Sequence, residues 1–125
     1  MKYTEEQLQR MVESRDWYER AMAVRNGHGL ALLVKDAHPL VRAEVARRGF
    51  QLDLLVKDAY WPVREAVADK GYGLDVLVRD SDWHVRAAVA RNGFGLDTLE
   101  HDEDYCVRNT AKAFRVQQEQ QVENA

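Results

Sequence analysis

GYGLDVLVRDSDWHVRAAVARN, residues 71–92, decides the architecture of this chain, because the chain repeats it. Gly27, Gly49, Gly71 and Gly93 stand 22 residues apart. Leu30, Leu52, Leu74 and Leu96 keep the same interval, as do Leu33, Leu55, Leu77 and Leu99. Asp36, Asp58, Asp80 and Asp102 come next in each copy, then Val41, Val63, Val85 and Val107. Each of these valines directly precedes an arginine: Arg42, Arg64, Arg86 and Arg108. A degenerate earlier copy places Leu8, Met11, Ser14, Trp17 and Arg20 in the registers of Leu30, Leu33, Asp36, Pro39 and Arg42. The chain is therefore an array of about five units, the first and last atypical.

Each unit reads as two helical pieces. Leu74, Leu77 and Val78 share one side of a short apolar run, long enough for two turns at most and open to a 3₁₀ reading. Asp80-Ser81-Asp82 is turn and N-cap chemistry. Residues 83–92 then read as a helix, with Val85, Ala88 and Val89 on one face and Gly93 where helices often end in the left-handed conformation. Pro39 suits a first helical position, whose N–H has no partner inside the helix. No unit alternates with period two, so the predicted class is all-α.

A helix pair this short cannot bury its apolar face alone, whereas stacking on neighbours can. The prediction is a single α-solenoid domain over residues 1–116: an atypical cap at about 4–26, then units at 27–48, 49–70, 71–92 and 93–114. With adjacent helices roughly 8–10 Å apart, the array is on the order of 40–50 Å long. Thr4 and Gln7 form a predicted capping box for a helix running to about Ser14. Phe114, with Val107 and Ala111, offers an apolar face to close the far end. Arg115 replaces the periodic glycine, so the last helix is expected to reach Val116, leaving 117–125 as a polar, fraying tail.

Composition narrows the function. The chain has 125 residues, 46% of them hydrophobic and 31% charged, with a formal charge of −3. That balance fits a folded domain and argues against a strongly basic nucleic-acid binder. No apolar run approaches the length of a membrane span, and residues 1–10 lack the apolar core of a secretory signal, so a cytoplasmic location without membrane contact is expected. The one cysteine, Cys106, excludes an internal disulfide and a cysteine-rich metal site.

The segments DAHPLVR (36–42), DAYWPVR (58–64), DSDWHVR (80–86) and DEDYCVR (102–108) resemble the HEAT repeat. The 22-residue period is short for that family and resembles the bacterial variant leucine-rich repeats over residues 4–114. That resemblance implies an α-helix paired with a short 3₁₀ helix in each unit, wound into a right-handed superhelix. It also implies that Asp36, Arg42, Asp58, Arg64, Asp80, Arg86, Asp102 and Arg108 form a structural ladder between units. The other reading of the arginine row is phosphate binding.

Trp17, Trp61, Trp83 and Tyr105 share one register, either covering the start of the neighbouring unit's helix or gripping a partner. The residues that vary between units are more informative. On the second helices they read Tyr18-Ala21-Arg25, Leu40-Ala43-Arg47, Pro62-Glu65-Asp69, His84-Ala87-Arg91 and Cys106-Asn109-Ala113. If these helices line the concave side, this mixed stripe is the candidate surface for another protein, with Leu40, Arg47, Trp61, Glu65, Trp83, His84 and Arg91 as its predicted contacts.

Charge is also polarised. Residues 27–48 carry four cations against two carboxylates, and residues 93–114 two against five. Lys35, Lys57 and Arg79 form a basic row where the first helix of each unit ends. For catalysis the chain offers little: His28, His38, His84 and His101 fall in no metal-binding spacing, and there is no phosphate loop. The expectation is a protein-binding scaffold that is not an enzyme and needs no cofactor or metal. The alternatives are a nucleic-acid module built on Arg25, Arg47, Arg48 and Arg91, and a small HEAT-like lyase of the bilin-lyase kind.

Overall fold

A computed structural model describes residues 2–124. They form ten helices and no strand. In chain order these are α1 (Glu5–Val12), α2 (Trp17–Arg25), α3 (Leu30–Leu33), α4 (Pro39–Arg47), α5 (Leu52–Leu55), α6 (Trp61–Asp69), α7 (Leu74–Leu77), α8 (Trp83–Arg91), α9 (Leu96–Leu99) and α10 (Tyr105–Glu123). Each unit is a first helix and a second: α1 with α2, α3 with α4, and so on to α9 with α10. The second helices stack consecutively, α2 on α4, α4 on α6, α6 on α8 and α8 on α10. The arrangement is the all-α repeat array that the 22-residue period predicts.

The short helices are single α turns rather than 3₁₀ pieces. Leu77 N–H donates to the Gly73 carbonyl at 2.9 Å and Val78 N–H to that of Leu74 at 3.0 Å, the i to i−4 pattern. Four residues of helix cannot stand alone in water, so tertiary packing holds them. Leu33, Leu55, Leu77 and Leu99 are the anchors, each at most 3% exposed. Opposite them Val41, Val63, Val85 and Val107 are fully buried.

Small side chains let the second helices approach closely. Ala46, Ala68 and Ala90 are completely buried, and α8 buries every residue from Val85 to Ala90. One sequence expectation changes here. Ala21, Ala43 and Ala87, the middle members of the variable stripe, are buried rather than open, because the adjacent helices close over them.

The caps follow the sequence closely. Thr4 and Gln7 exchange hydrogen bonds of 2.8 and 3.1 Å, although α1 stops at Val12, short of Ser14. Asp16, Asp82 and Asp104 cap α2, α8 and α10, and the ring of His38 accepts the Leu40 N–H at the start of α4. Phe114 seals the far end by lying on Gly93, where a Cβ would come within 2.5 Å of its ring. The far helix does not fray at Val116: α10 continues to Glu123, since Gln and Glu are good helix formers.

Each inter-unit turn has a second left-handed residue that the sequence reading does not single out. After Gly71 comes Gly73, at φ +67°, and a Cβ there would lie 2.8 Å from Val56 Cγ2 of the preceding unit. The equivalent residue in the unit before is Gln51, at φ +48°, the one non-glycine residue with positive φ among the described residues. A side chain in this region costs roughly 1–2 kcal/mol, partly offset by the greater unfolded-state entropy of glycine. Gln51→Gly is therefore expected to stabilise the protein by about 0.5–1 kcal/mol and Gly73→Ala to destabilise it by more than about 1 kcal/mol, both read as shifts of the urea midpoint.

Candidate functional site

The ladder comes first because it fixes how one unit sits on the next. Arg64 Nε donates to Asp80 Oδ2 at 2.8 Å and Arg64 Nη2 to Asp80 Oδ1 at 3.0 Å, a two-pronged pair across the unit boundary. Its remaining nitrogen, Nη1, donates to the carbonyl of Asp58 in its own unit at 2.8 Å. Asp80 Oδ1 also accepts the Asp82 N–H at 3.0 Å, which shapes the turn into α8. The same geometry joins Arg42 to Asp58 and Arg86 to Asp102. Each arginine thus ties its own turn to the carboxylate of the following unit.

Two details depart from the sequence ladder. Arg20 belongs to it, holding Asp36 at 2.7 and 3.0 Å, with Ser14 standing where an aspartate would be. Arg108 does not hold a carboxylate among the described residues; it donates to the backbone carbonyls of Asp102 and Glu103, and the residues after Phe114 continue α10. The neighbours explain the titration behaviour. Hydrogen bonding to its aspartate raises Arg64, as it does Arg20, Arg42 and Arg86. Burial pushes the Asp36 and Asp102 carboxyls up, but the hydrogen bonds from Arg20 and Arg86, with backbone N–H donors, hold both below the ordinary carboxylate value.

The second helices carry the candidate surface, and it is continuous across α2, α4, α6 and α8. Between α2 and α4 lies a pocket of about 160 Å³ lined by Trp17, Tyr18, Arg25, Leu40, Glu44 and Arg47, with Ala21 at its floor. Glu44, only 7% exposed, takes Arg25 at 2.9 Å and Arg47 at 3.1 Å. Along the stack, Arg91 of α8 reaches Asp69 at 3.1 Å and Glu65 at 3.7 Å, both on α6. Burial and the nearby Asp69 raise Glu65 above the usual carboxylate value against the opposing pull of Arg91, His84 and Arg47.

Above this charge row lies an aromatic one. The His84 ring is held between Trp61 and Trp83, with centroids 3.8 and 3.6 Å away and planes 9° and 25° apart. His84 Nδ1 lies 2.8 Å from Asp82 Oδ1, and since a carboxylate only accepts, that nitrogen carries the proton. Trp17 stacks on His38 at 4.3 Å. Trp17 and Trp61 thus cover the beginning of the next unit's second helix, while Tyr105 in the same register is 68% exposed.

The seven predicted contact residues therefore share one face: Leu40 and Arg47 at the pocket, Glu65 and Arg91 on the charge row, and Trp61, His84 and Trp83 in the stack. Sequence reasoning missed Glu44, and it read Asp82 as a cap without its second contact, the His84 ring. Glu44 was visible as the one charged residue in a register that otherwise reads Met22, Ala66, Ala88 and Thr110. No group of three or more metal-ligating side chains is assembled among the described residues, and no described helix is long and apolar enough to cross a membrane. Comparison with protein-family models, curated proteins and solved structures finds no match.

Removing one arginine from the ladder leaves a largely buried carboxylate alone, so Arg64→Leu is expected to cost about 2–4 kcal/mol in urea unfolding, with Arg64→Lys recovering only part. The lowered Asp36 and Asp102 contribute stability that is complete above the unfolded carboxylate pKa of about 4 and is lost as pH falls through their folded values. Glu65, being raised, acts with the opposite sign, stabilising at low pH and losing that contribution as pH rises through its folded value. The urea midpoint of the wild type should fall below about pH 4, and that of Asp102→Asn, lower at neutral pH, should fall less on acidification; equal losses would remove Asp102 from the acid response.

Proposed function

We propose that this chain is a non-catalytic protein-binding module whose contact surface is the continuous face of α2, α4, α6 and α8. The observation that carries the reading is that this face is both aromatic and charge-balanced. Tyr18, Leu40 and Trp83 are 53%, 39% and 37% exposed, large apolar groups open to a partner beside the ion pairs. The pocket between α2 and α4 has the form of a socket for one apolar or aromatic anchor, rimmed by arginines. Rigid stacking supplies preorganisation, so little ordering entropy is lost on contact.

Three of the arginines proposed for nucleic acid are already engaged. Arg25 and Arg47 share Glu44, and Arg91 lies on Asp69 and Glu65. A polyanion would have to displace these carboxylates, whereas a protein with mixed charge can interleave with them. A HEAT-like lyase would need converging free carboxylates in a pocket, and Glu44 and Glu65 are instead committed to arginines. The 22-residue period, the Asp–Arg clamp and the short-plus-long helix unit favour membership among the variant leucine-rich or HEAT-like repeats. The free, exposed thiol of Cys106 suits a reducing compartment such as the cytoplasm.

The test is affinity capture from host lysate with wild type and with the double variant His84→Glu, Arg91→Glu, each with and without nuclease. One protein recovered stoichiometrically in both nuclease arms, and reduced at least about tenfold by a variant that unfolds at the wild-type temperature, is the expected result. Recovery that vanishes with nuclease, or that the folded variant retains in full, would overturn the reading.

A further inference from the structure

The opposite side of each unit carries a second repeated pattern that the long-helix face does not use. Leu32, Leu54 and Val76 occupy one register of α3, α5 and α7 and are 66%, 46% and 65% exposed. Their neighbours in the core, Leu33, Leu55 and Leu77, are buried, so these three are not surplus core residues but a separate aliphatic row. Immediately before the last two stand Asp53 and Asp75, and Asp97 repeats the position on α9. Three residues after each aliphatic stand Lys35, Lys57 and Arg79. All these charges are exposed. Among the described residues, none of the three cations forms an ion pair, in contrast to the clamped arginines of the second helices.

Helix geometry orders these rows. In α5 and α7 the aspartate lies in the helix's opening turn with the aliphatic next to it, and the cation, four residues after the aspartate and so about 6 Å from it along the chain at a rise of roughly 1.5 Å per residue, stands just past the helix's last residue. A groove of about 460 Å³ that includes Lys35, Asp53, Leu54 and Lys57 joins the second and third units on this side. The surface therefore has an acidic edge, an aliphatic strip and a basic edge, all running along the array.

Such a surface complements itself under one rotation. A two-fold axis parallel to the array turns the acidic edge of one copy over the basic edge of the other, keeps unit opposite unit, and lays aliphatic strip beside aliphatic strip. An axis at right angles to the array would set like charges together. An anionic lipid surface or a nucleic acid would meet the aspartates as well as the cations, so neither fits as well as a second copy.

We propose that the short-helix side is a homodimer surface, formed by two facing rows of α3, α5 and α7 that run in the same direction and are related by a two-fold axis along the array, with Lys57 and Arg79 of each copy paired to Asp53 and Asp75 of the other. The interface is isologous, so each substitution acts twice. It leaves the face of α2, α4, α6 and α8 free in both copies.

Sedimentation velocity over a concentration series from about 1 to 500 μM tests it, because interfaces with so few aliphatic anchors sit at the weak end of the range. The wild type is expected to show a reversible monomer–dimer equilibrium that weakens with added salt. Lys57→Glu with Arg79→Glu should loosen it at least about tenfold by opposing like charges, and adding Asp53→Lys with Asp75→Lys to the same chain should restore it. The triple change Leu32→Glu, Leu54→Glu, Val76→Glu should abolish it. All substituted positions are exposed, and far-ultraviolet circular dichroism checks that each variant keeps its helices. A wild type that stays monomeric throughout the series, a dimer that survives the aliphatic substitutions, or a four-fold charge exchange that fails to restore association would each overturn the proposal.

Discussion

The two-pronged clamp between an arginine and the aspartate of the next unit is the constraint on which the rest depends. Its geometry is directional. The guanidinium is fixed by a carbonyl of its own turn and grips a carboxylate 16 residues ahead, while that carboxylate simultaneously shapes the turn that begins the following helix. One interaction therefore sets the local backbone and the spacing between units. Dispersion and apolar burial supply most of the stability, through leucines and valines that are almost wholly removed from water. Those contacts tolerate sliding far better than a planar fork does, so the clamp specifies register where the core supplies energy.

From the clamp follows the presentation of side chains. With the units held at one spacing, residues at equivalent positions form rows, and variation within a row becomes a surface pattern rather than scattered substitutions. Glu44 shows the effect. In a register held by alanine in the next two units, it survives burial because Arg25 of α2 and Arg47 of its own helix both bond to its carboxylate. His84 is ordered in a similar way by two tryptophans and the Asp82 carboxylate. The surface is thus built from neighbouring units, and no single unit could make it.

Much of this was legible in the sequence because periodicity multiplies weak signals. Gly71 or Asp80 alone says little, but four copies in phase establish the unit, the caps and the clamp residues. What stayed hidden were relations across units. The spacing could not tell whether an arginine reaches back or forward, and Arg20 pairs forward with Asp36 from a unit whose own aspartate has become Ser14. The second left-handed position escaped notice because Gln51 interrupts the glycines at 29, 73 and 95. The burial of Ala43 and Ala87 was missed since a helical wheel assumes one covered face, whereas an inner helix of a stack is covered on two sides. The end of α10 was misplaced for the reverse reason: polarity suggested fraying, while Gln and Glu let the helix propagate.

The last unit differs from the inner ones on its outward side. Where α8 carries Ala87, Ala88 and Ala90, all buried, α10 carries Asn109, Thr110 and Lys112 in the same registers. Those polar groups make a poorer seat for another helix of the same kind than the alanines of α8. The inner units, by contrast, meet each other through nearly identical seams. Gene duplication or loss of a whole 22-residue segment between the caps would regenerate the same seams, making the length of this scaffold an evolutionary variable that can change in quantised steps while both ends stay sealed.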